Sequence, residues 1–278
     1  MKKAFLTGGV VLLLALIPIT MYMVNPDYDS LNPVHRYFAS SIVEKWMEYE
    51  DSVPKERRAT LDIDTLFSLL NFPELSFARR IFRIPPAELG FKGKFYSLEK
   101  PTDLVLIENV VLENSGNSSE TGVQYYPRHA YRDYREMMDS MKASIGKRLF
   151  IDSGYRSPGR QAYLFFYYLV KTSNFVLKEN ARWIAMPGYS EHGSPLFTAI
   201  DFISEDGING FSGKQTAENF ENLEEYRWLQ ANASRFNFYL SYPRENNLGV
   251  AFEPWHWHWE GDTSIFTNTN TPQIKPNP

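Results

Sequence analysis

The sequence predicts a fold of mixed α and β structure behind an apolar N-terminus. From residue 131 onward, amphipathic helical patterns alternate with short strand-like runs. The 278-residue chain is 43% hydrophobic, 22% charged and 15% aromatic, which is ordinary for a globular protein with a well-packed core. This length allows one large domain, or a core domain with an added segment.

The overall composition excludes several classes of protein. A formal net charge of −4 gives no reason to expect a nucleic-acid partner. The chain has no cysteine, which excludes disulfides, thiolate zinc sites, a cysteine nucleophile and a lipoprotein anchor. The lack of cysteine does not decide the compartment, because many exported bacterial proteins also lack it.

The N-terminus combines two lysines with a long apolar run. Lys2 and Lys3 precede residues 4–24, AFLTGGVVLLLALIPITMYMV, which carry no charge. The run is close to the ~20 residues that span a bilayer. Because no small-x-small cleavage site is obvious near its end, we expect residues 1–24 to be an uncleaved signal anchor rather than a cleaved signal peptide. The lysines then place the rest of the chain outside the cytoplasm, on the periplasmic or cell-wall side.

Residues 25–120 are expected to form a linker and a mostly helical extension of unknown role. Residues 25–33 are polar with two prolines, as in a juxtamembrane linker. Residues 35–50 place apolar side chains on one helical face, and residues 51–90 combine short helical patterns with prolines. Residues 114–121, NSGNSSET, indicate a polar loop and mark the boundary before the domain that carries the chemistry.

The following part of the chain, residues 121–264, carries the alternating pattern. Pro158 suits the first turn of a helix. The polar, proline-rich residues 265–278 are expected to be a disordered tail. The predicted helices are 131–145, 158–171 and 217–235, and the predicted strands begin or lie within 148–156, 198–203, 236–240 and 250–259.

Histidines near carboxylates are the strongest chemical signal. His192 lies in GYSEHGSPLFTAID, and His256 and His258 lie in FEPWHWHWEG. Histidine with Asp or Glu is a natural zinc ligand set, and a catalytic zinc keeps three protein ligands and one open position. Each signal is weak by itself, since a lone histidine in a Gly/Ser loop is usually a polar loop residue. The alternating tryptophans of the second segment indicate first of all a core-packing stripe.

Spacing alone leaves two ligand sets open. One set is His192, Asp201 and His256, with Glu253 as a base that does not bind the metal. The other is His192, His256 and His258, because residues i and i+2 of a strand face the same side. An irregularity at the proline between Glu253 and His256 could turn both of these side chains into one cleft.

The order of three motifs resembles a known family. The motifs are Ser153-Gly154-Tyr155-Arg156-Ser157 with Gln161, then Ser190-Glu191-His192 with Ala199-Ile200-Asp201, then Glu253-Pro254-Trp255-His256. Together they resemble the zinc D-alanyl-D-alanine carboxypeptidases of the VanY type, whose wider group includes the D,D-dipeptidases and the hedgehog signalling domain. The resemblance covers residues 124–261.

The resemblance implies a role for each of the matching residues. It implies Zn²⁺ held by His192, Asp201 and His256, with Glu253 as general base. Arg156 matches the arginine that contacts the substrate carbonyl or carboxylate. His258 falls where the family varies, so we expect it to line the cleft or to support a ligand. The residues expected to line the peptide-binding cleft are Tyr155, Gln161 and Ser190.

One departure from the family pattern concerns the spacing of two ligands. The family usually places six residues with a central glycine between the histidine and the aspartate, whereas residues 193–200 here number eight, with Phe197 in place of that glycine. We expect the two extra residues to bulge out before Thr198, which would leave the strand that carries Asp201 intact.

The resemblance also implies a fold and an activity for residues 121–264. The expected fold is α+β, a small antiparallel sheet flanked by helices, of the hedgehog/DD-peptidase-like type. The expected activity is removal of the terminal D-alanine from peptidoglycan stem peptides by a monomeric enzyme tethered to the membrane. Zinc would lower the pKa of a bound water towards ~7, and Glu253 would carry its proton to the leaving amine. The alternatives are a peptidoglycan endopeptidase and a non-catalytic wall-binding module.

Overall fold

A computed structural model describes residues 24–114 and 117–262. The predicted signal anchor, apart from Val24, and the predicted tail lie outside these residues. Among the helices that are described, none has the length and apolar character needed to cross a membrane.

The described elements are short helices and strands in mixed order. The helices are α1 Pro33–Ser52, α2 Ile63–Ser68, α3 Phe72–Phe82, α4 Arg128–Ile145, α5 Pro158–Lys171, α6 Leu177–Ala181, α7 Ala217–Glu221 and α8 Glu224–Asn232. The strands are β1 Leu104–Ile107, β2 Val111–Asn114, β3 Asn117–Glu120, β4 Gln124–Pro127, β5 Leu149–Ser153, β6 Ala199–Ser204, β7 Phe238–Leu240 and β8 His256–Trp259. Short 3₁₀ turns occupy Lys55–Thr60, Pro86–Leu89, Glu191–Gly193 and Ala233–Phe236.

The chain divides into two compact units, each built from several stretches. Of the described residues, the first unit takes those within Met1–Lys100, Arg156–Gly193 and Arg244–Phe252. The second unit takes those within Pro101–Tyr155, Ser194–Pro243 and Glu253–Pro278. Each unit has its own cluster of buried apolar side chains. The predicted domain boundary at residue 121 stays a prediction.

The first unit is helical and packs around aromatic rings. Asn32 caps the start of helix α1: its side chain accepts hydrogen bonds from the Val34 and His35 N–H groups, which have no partner within the helix. Trp46 is fully buried, meets Phe166 of α5 edge to face at 5.4 Å between ring centroids, and donates its indole N–H to a backbone carbonyl. Buried aromatic pairs of this kind contribute beyond the area that they remove from water. The helix predicted at 35–50 and the short helices predicted within 51–90 are confirmed.

The second unit is organised by a four-stranded antiparallel sheet with strand order β5-β6-β8-β7. In its register Ser153 and His256 lie opposite Asp201 from either side, and β5 bulges between Ile151 and Ser153. Trp257 points into the apolar core of this unit together with Phe202 and Phe238. The predicted small antiparallel sheet with helices is therefore confirmed.

Helix α5 has the bounds that the sequence predicts, residues 158–171. The side chain of Ser157 accepts the Arg160 N–H and so caps the helix start, and Pro158 occupies the first turn. Helix α4 begins three residues before the predicted 131, at Arg128.

Three of the predicted elements were wrong in extent. The helix predicted at 217–235 is α7, α8 and a 3₁₀ turn, because the chain leaves helical geometry at Leu223, whose ψ is 146°. The strand predicted at 250–259 forms only at β8, since the His256 N–H closes a turn onto the Glu253 carbonyl. The strand predicted from 236 starts at Phe238, because Asn237 adopts a left-handed conformation with φ 63°.

The polar loop predicted at 114–121 was also wrong. Strands β2 and β3 pair antiparallel across this region, with Val111 opposite Glu120. Polar side chains lower strand propensity only weakly, and the ladder of backbone hydrogen bonds overrides that preference.

Candidate metal centre

Two of the predicted ligands lie side by side on adjacent strands of the sheet in the second unit. Asp201 in β6 and His256 in β8 are directly paired in register, and both are buried. The His256 Nδ1 and Asp201 Oδ1 atoms lie 2.8 Å apart. Successive side chains of a strand alternate between faces, so packing Trp257 and Trp259 into the core turns His256 to the opposite face. The tryptophans thus pack the core, and the alternation of faces along the strand places the His256 side chain on the other side of the sheet.

Glu253 lies in the turn that leads into β8. Its N–H donates to the Tyr242 carbonyl, and its own carbonyl accepts the His256 N–H, both at 3.1 Å. This turn, which contains Pro254, brings the Glu253 Oε2 atom to 3.7 Å from His256 Nδ1. The side chain is buried, with 7% exposure of the residue. A carboxylate beside a candidate ligand, close to it and outside the ligand set, suits a proton carrier.

His258 has other neighbours. Its Nδ1 lies 2.7 Å from Ser241 Oγ, and its Nε2 lies 3.2 Å from Glu260 Oε1. Both ring nitrogens are therefore engaged within the second unit, and the structure does not bring His258 into a ligand group with His256.

The bend after Gly193 accommodates the two extra residues of the motif. The Phe197 N–H donates to Ser194 Oγ at 2.9 Å, and the regular strand begins only at Ala199. Asp201 therefore lies in an intact strand, as expected from the sequence. Thr198 is fully buried at the end of this bend, and its carbonyl accepts the Trp259 N–H.

His192 lies in the first unit, in the 3₁₀ turn Glu191–Gly193, and is fully buried. The Gly193 N–H closes the turn onto the Ser190 carbonyl. The Arg156 N–H donates to the His192 carbonyl at 3.1 Å, so the backbone of one motif holds the backbone of the next.

The donor atoms of the three residues fit a metal ion. One ligand atom each from His192, Asp201 and His256 lies within 4.8 Å of the other two. Two imidazoles and one carboxylate, all buried, match the nitrogen and oxygen donors that zinc takes in catalytic sites. Their role as metal ligands stays a prediction.

The residues predicted to contact the peptide have well-defined surroundings within their own units. Gln161 is buried on α5 and donates its amide N–H to the Ala185 carbonyl at 2.7 Å. Ser190 is buried just before the histidine turn, and Arg156 is half-buried at the residue preceding the α5 cap. Tyr155, in the second unit, is fully buried, and burial raises the pKa of its hydroxyl. Their contact with substrate stays a prediction.

Sequence reasoning missed Asp152, which lies at the bulge of β5. Burial is the main cause that raises the pKa of its carboxyl to about 7; a hydrogen bond from Asn209 Nδ2 at 3.0 Å opposes the rise, and the negative charge of Asp201 adds to it. The only signal in the sequence was an aspartate directly before the Ser-Gly-Tyr-Arg motif.

Comparison with known proteins agrees with the motifs. The family model for VanY D-alanyl-D-alanine carboxypeptidase matches residues 118–262, just over half of the chain. The chain therefore belongs to the VanY family of D-alanyl-D-alanine carboxypeptidases, and the resemblance seen in the sequence is confirmed.

Individual relatives are more distant. A D-alanyl-D-alanine carboxypeptidase of Enterococcus faecalis is 31% identical over 161 residues, which cover 55% of this chain and 53% of that protein. Among solved structures, the LD-carboxypeptidase LdcB is 26% identical over 66% of this chain and 81% of its own, with a TM-score of 0.47. A variant of the vancomycin-resistance D,D-pentapeptidase VanY in complex with Zn(II) is 24% identical over 62% of this chain and 88% of its own, with a TM-score of 0.44.

Proposed function

We propose that the protein is a zinc-dependent D-alanyl-D-alanine carboxypeptidase that removes the terminal D-alanine from peptidoglycan stem peptides. The observation that carries this proposal is the buried group of His192, Asp201 and His256, with Glu253 beside it, in a member of the VanY family. The E. faecalis relative bears the same activity in its name.

His192, Asp201 and His256 would hold the zinc ion. When bound, zinc supplies Lewis-acid polarisation of the substrate carbonyl and makes water a stronger acid at neutral pH. Neutral imidazoles with a single carboxylate leave a positive charge on such a site, which favours attack by hydroxide. The short His256–Asp201 distance supports a preformed pair of donors.

Glu253 would move the proton. Its carboxylate takes a proton from the attacking water and passes it to the leaving amine, a role that contributes typically about 10²–10⁴-fold. The turn before β8 holds this carboxylate close to His256 without using it in the ladder.

Arg156 would recognise negative charge on the substrate. Its guanidinium can donate two parallel hydrogen bonds to the carboxylate of a terminal D-alanine, or stabilise the oxyanion that develops on the carbonyl. Tyr155, Gln161 and Ser190 would line the cleft for the rest of the peptide.

The location of the protein belongs to the same proposal. VanY-family enzymes act on the cell wall, which agrees with action outside the cytoplasm. From the sequence we propose that residues 1–24 tether the protein to the membrane. We also propose that residues 121–264 form a peptidase domain with a hedgehog-like fold, and that the protein is a monomer. A tethered hydrolase with a linker could reach the stem peptides, which lie outside the membrane.

The observations favour an enzyme over a non-catalytic wall-binding module. The two-residue insertion between His192 and Asp201 would favour the module if it disrupted the strand that carries Asp201, but β6 is intact. A pure binding site also has no need for a base such as Glu253. An endopeptidase that cuts within stem peptides or crosslinks would use the same residues and differ in its substrates.

The test compares substrates and one pair of variants. The purified full chain is incubated with pentapeptide, tetrapeptide and crosslinked fragments, with and without a chelator, and the products are analysed by mass spectrometry. We expect chelator-sensitive loss of one alanine from the pentapeptide. Cleavage of the crosslinked fragments alone would indicate an endopeptidase.

Glu253→Gln should keep stoichiometric zinc and lose about 10²–10⁴-fold in rate. Glu260→Gln, at an exposed carboxylate of the same segment, is the matched control and should retain activity. Binding of wall fragments by the wild type without any cleavage would leave the module as the better explanation.

A further inference from the structure

Residues 91–98, which lie outside the region matched by the family model, run along the loop that leads to His192. Both stretches belong to the first unit. The Phe95 ring meets Tyr189 edge to face, with 5.4 Å between centroids. Gly188 has φ +87°, and a Cβ atom at this position would come within 2.5 Å of the Phe95 ring. Glycine therefore permits both the turn and the close approach.

Tyr96 fixes this loop at two points. Its N–H donates to the Gly188 carbonyl at 2.7 Å, and its hydroxyl donates to Glu191 Oε1 at 2.8 Å. Glu191 is the first residue of the 3₁₀ turn that carries His192, and it is buried. A hydrogen bond to a carboxylate is stronger than one between neutral groups. The two bonds therefore restrain residues 188–191 immediately before the candidate ligand.

We propose that Tyr96 is a positioning residue that holds the turn of His192 in the geometry needed for zinc binding, an inference that rests on the proposed zinc site. Tyr96 contacts the loop and acts only through it. The Arg156 N–H binds the backbone carbonyl of His192, and the Tyr96 hydroxyl binds the side-chain carboxylate of Glu191, so two successive residues of the turn are each held by a partner.

The expected size of the effect follows from the distance to the metal. Partners that hydrogen-bond directly to a ligand typically change metal affinity by about 10–100-fold when removed. Tyr96 acts one residue further away, so we expect the lower end of that range.

Tyr96→Phe is the test variant, because it removes the hydroxyl and keeps both the ring and the backbone hydrogen bond. Tyr28→Phe is the matched control, since the Tyr28 hydroxyl donates to Glu88 Oε2 at 2.7 Å in the same unit. The zinc Kd of the full chain is measured by competition with a chromophoric chelator. We expect Tyr96→Phe to raise the Kd about tenfold, and Tyr28→Phe to leave it unchanged.

Amide hydrogen exchange of the metal-free protein gives a second readout. Peptides that contain residues 188–193 should exchange faster in Tyr96→Phe than in the wild type, and at the wild-type rate in Tyr28→Phe. An unchanged zinc Kd in Tyr96→Phe, or an equal loss of affinity in both variants, overturns the inference. If the wild type itself fails to bind zinc, the proposed function is wrong, and unchanged exchange in Tyr96→Phe would separately exclude the restraint on the loop.

Discussion

The first unit carries its candidate ligand in a turn, whereas the second unit carries two candidate ligands on a ladder. The turn of His192 depends on a few individual hydrogen bonds, such as those from Tyr96 and Arg156. Asp201 and His256 are opposite residues of paired strands, and the register fixes every side chain of those strands at once. We therefore expect single changes outside the motifs to disturb the turn more readily than the ladder.

The largest expected effect comes from removing a ligand of the ladder. Asp201→Ala deletes one proposed zinc donor and removes the partner 2.8 Å from the buried His256. We expect zinc affinity to fall by more than the roughly 10–100-fold typical of outer partners, with loss of activity, as measured by chelator competition and peptide cleavage.

His258→Ala is the control for this change on the same strand, and it should keep stoichiometric zinc. The reverse pattern, in which His258→Ala loses the metal and Asp201→Ala keeps it, would favour the ligand set that includes His258 and would contradict the ladder pair.

An intermediate effect tests whether the two units have separate cores. Phe166 and Phe238 are both fully buried, the first in the helical core and the second in the sheet core. Truncation of either to alanine should cost about 3–5 kcal/mol, measured by denaturant unfolding.

Hydrogen exchange on the same two variants locates the damage. Phe166→Ala should deprotect α1 and α5, and Phe238→Ala should deprotect the four-stranded sheet. Equal loss of protection throughout the described residues in both variants would mean that the two cores unfold as one, and the contrast between the units would then not extend to stability.

The smallest expected effect is a pH dependence in the second unit. Burial lowers the pKa of His129, against weaker opposing effects of the Leu196 carbonyl and the charges of Asp103 and Asp133. Since the folded pKa lies below the unfolded value of about 6.5, the unfolded state binds the proton more readily. The stability of the metal-free protein should therefore fall as the pH drops from above the unfolded pKa of about 6.5 towards the lower pKa of the folded state.

His129→Gln removes this contribution. The loss of Tm between about pH 7.5 and about pH 5.5 should be smaller in the variant by about 1–2 °C. A variant with the same pH slope as the wild type would show that His129 takes up its proton equally well in both states.

Local patterns made the class of the fold predictable from the sequence, and the family resemblance made much of the candidate site predictable. Helix α5 has the predicted bounds because Ser157 and Pro158 mark its start. Spacing alone left two ligand sets open, and the family resemblance carried by the motif order implied His192, Asp201 and His256. Comparison with the family's spacing also led us to expect a bulge before Thr198, and the strand begins at Ala199.

The remainder depended on contacts that no local pattern contains. The long predicted helix breaks at Leu223, a partly buried residue that packs against the core of the second unit. Tyr96 and Glu191 are far apart in the chain, so nothing in either segment indicates their hydrogen bond. The shifted pKa of Asp152 likewise arises from burial, which a sequence does not display.

The bend at residues 194–198 separates a change in chain length from the strand that positions Asp201. It absorbs a change of length before β6 begins, so the alternation of faces along the strand is untouched. The length of this loop can therefore change during evolution, or be varied in an engineered library, without shifting the register of β6. A single residue inserted after Ala199 would fall inside the regular strand, where no bend can absorb it. It would turn Asp201 to the opposite face of the sheet.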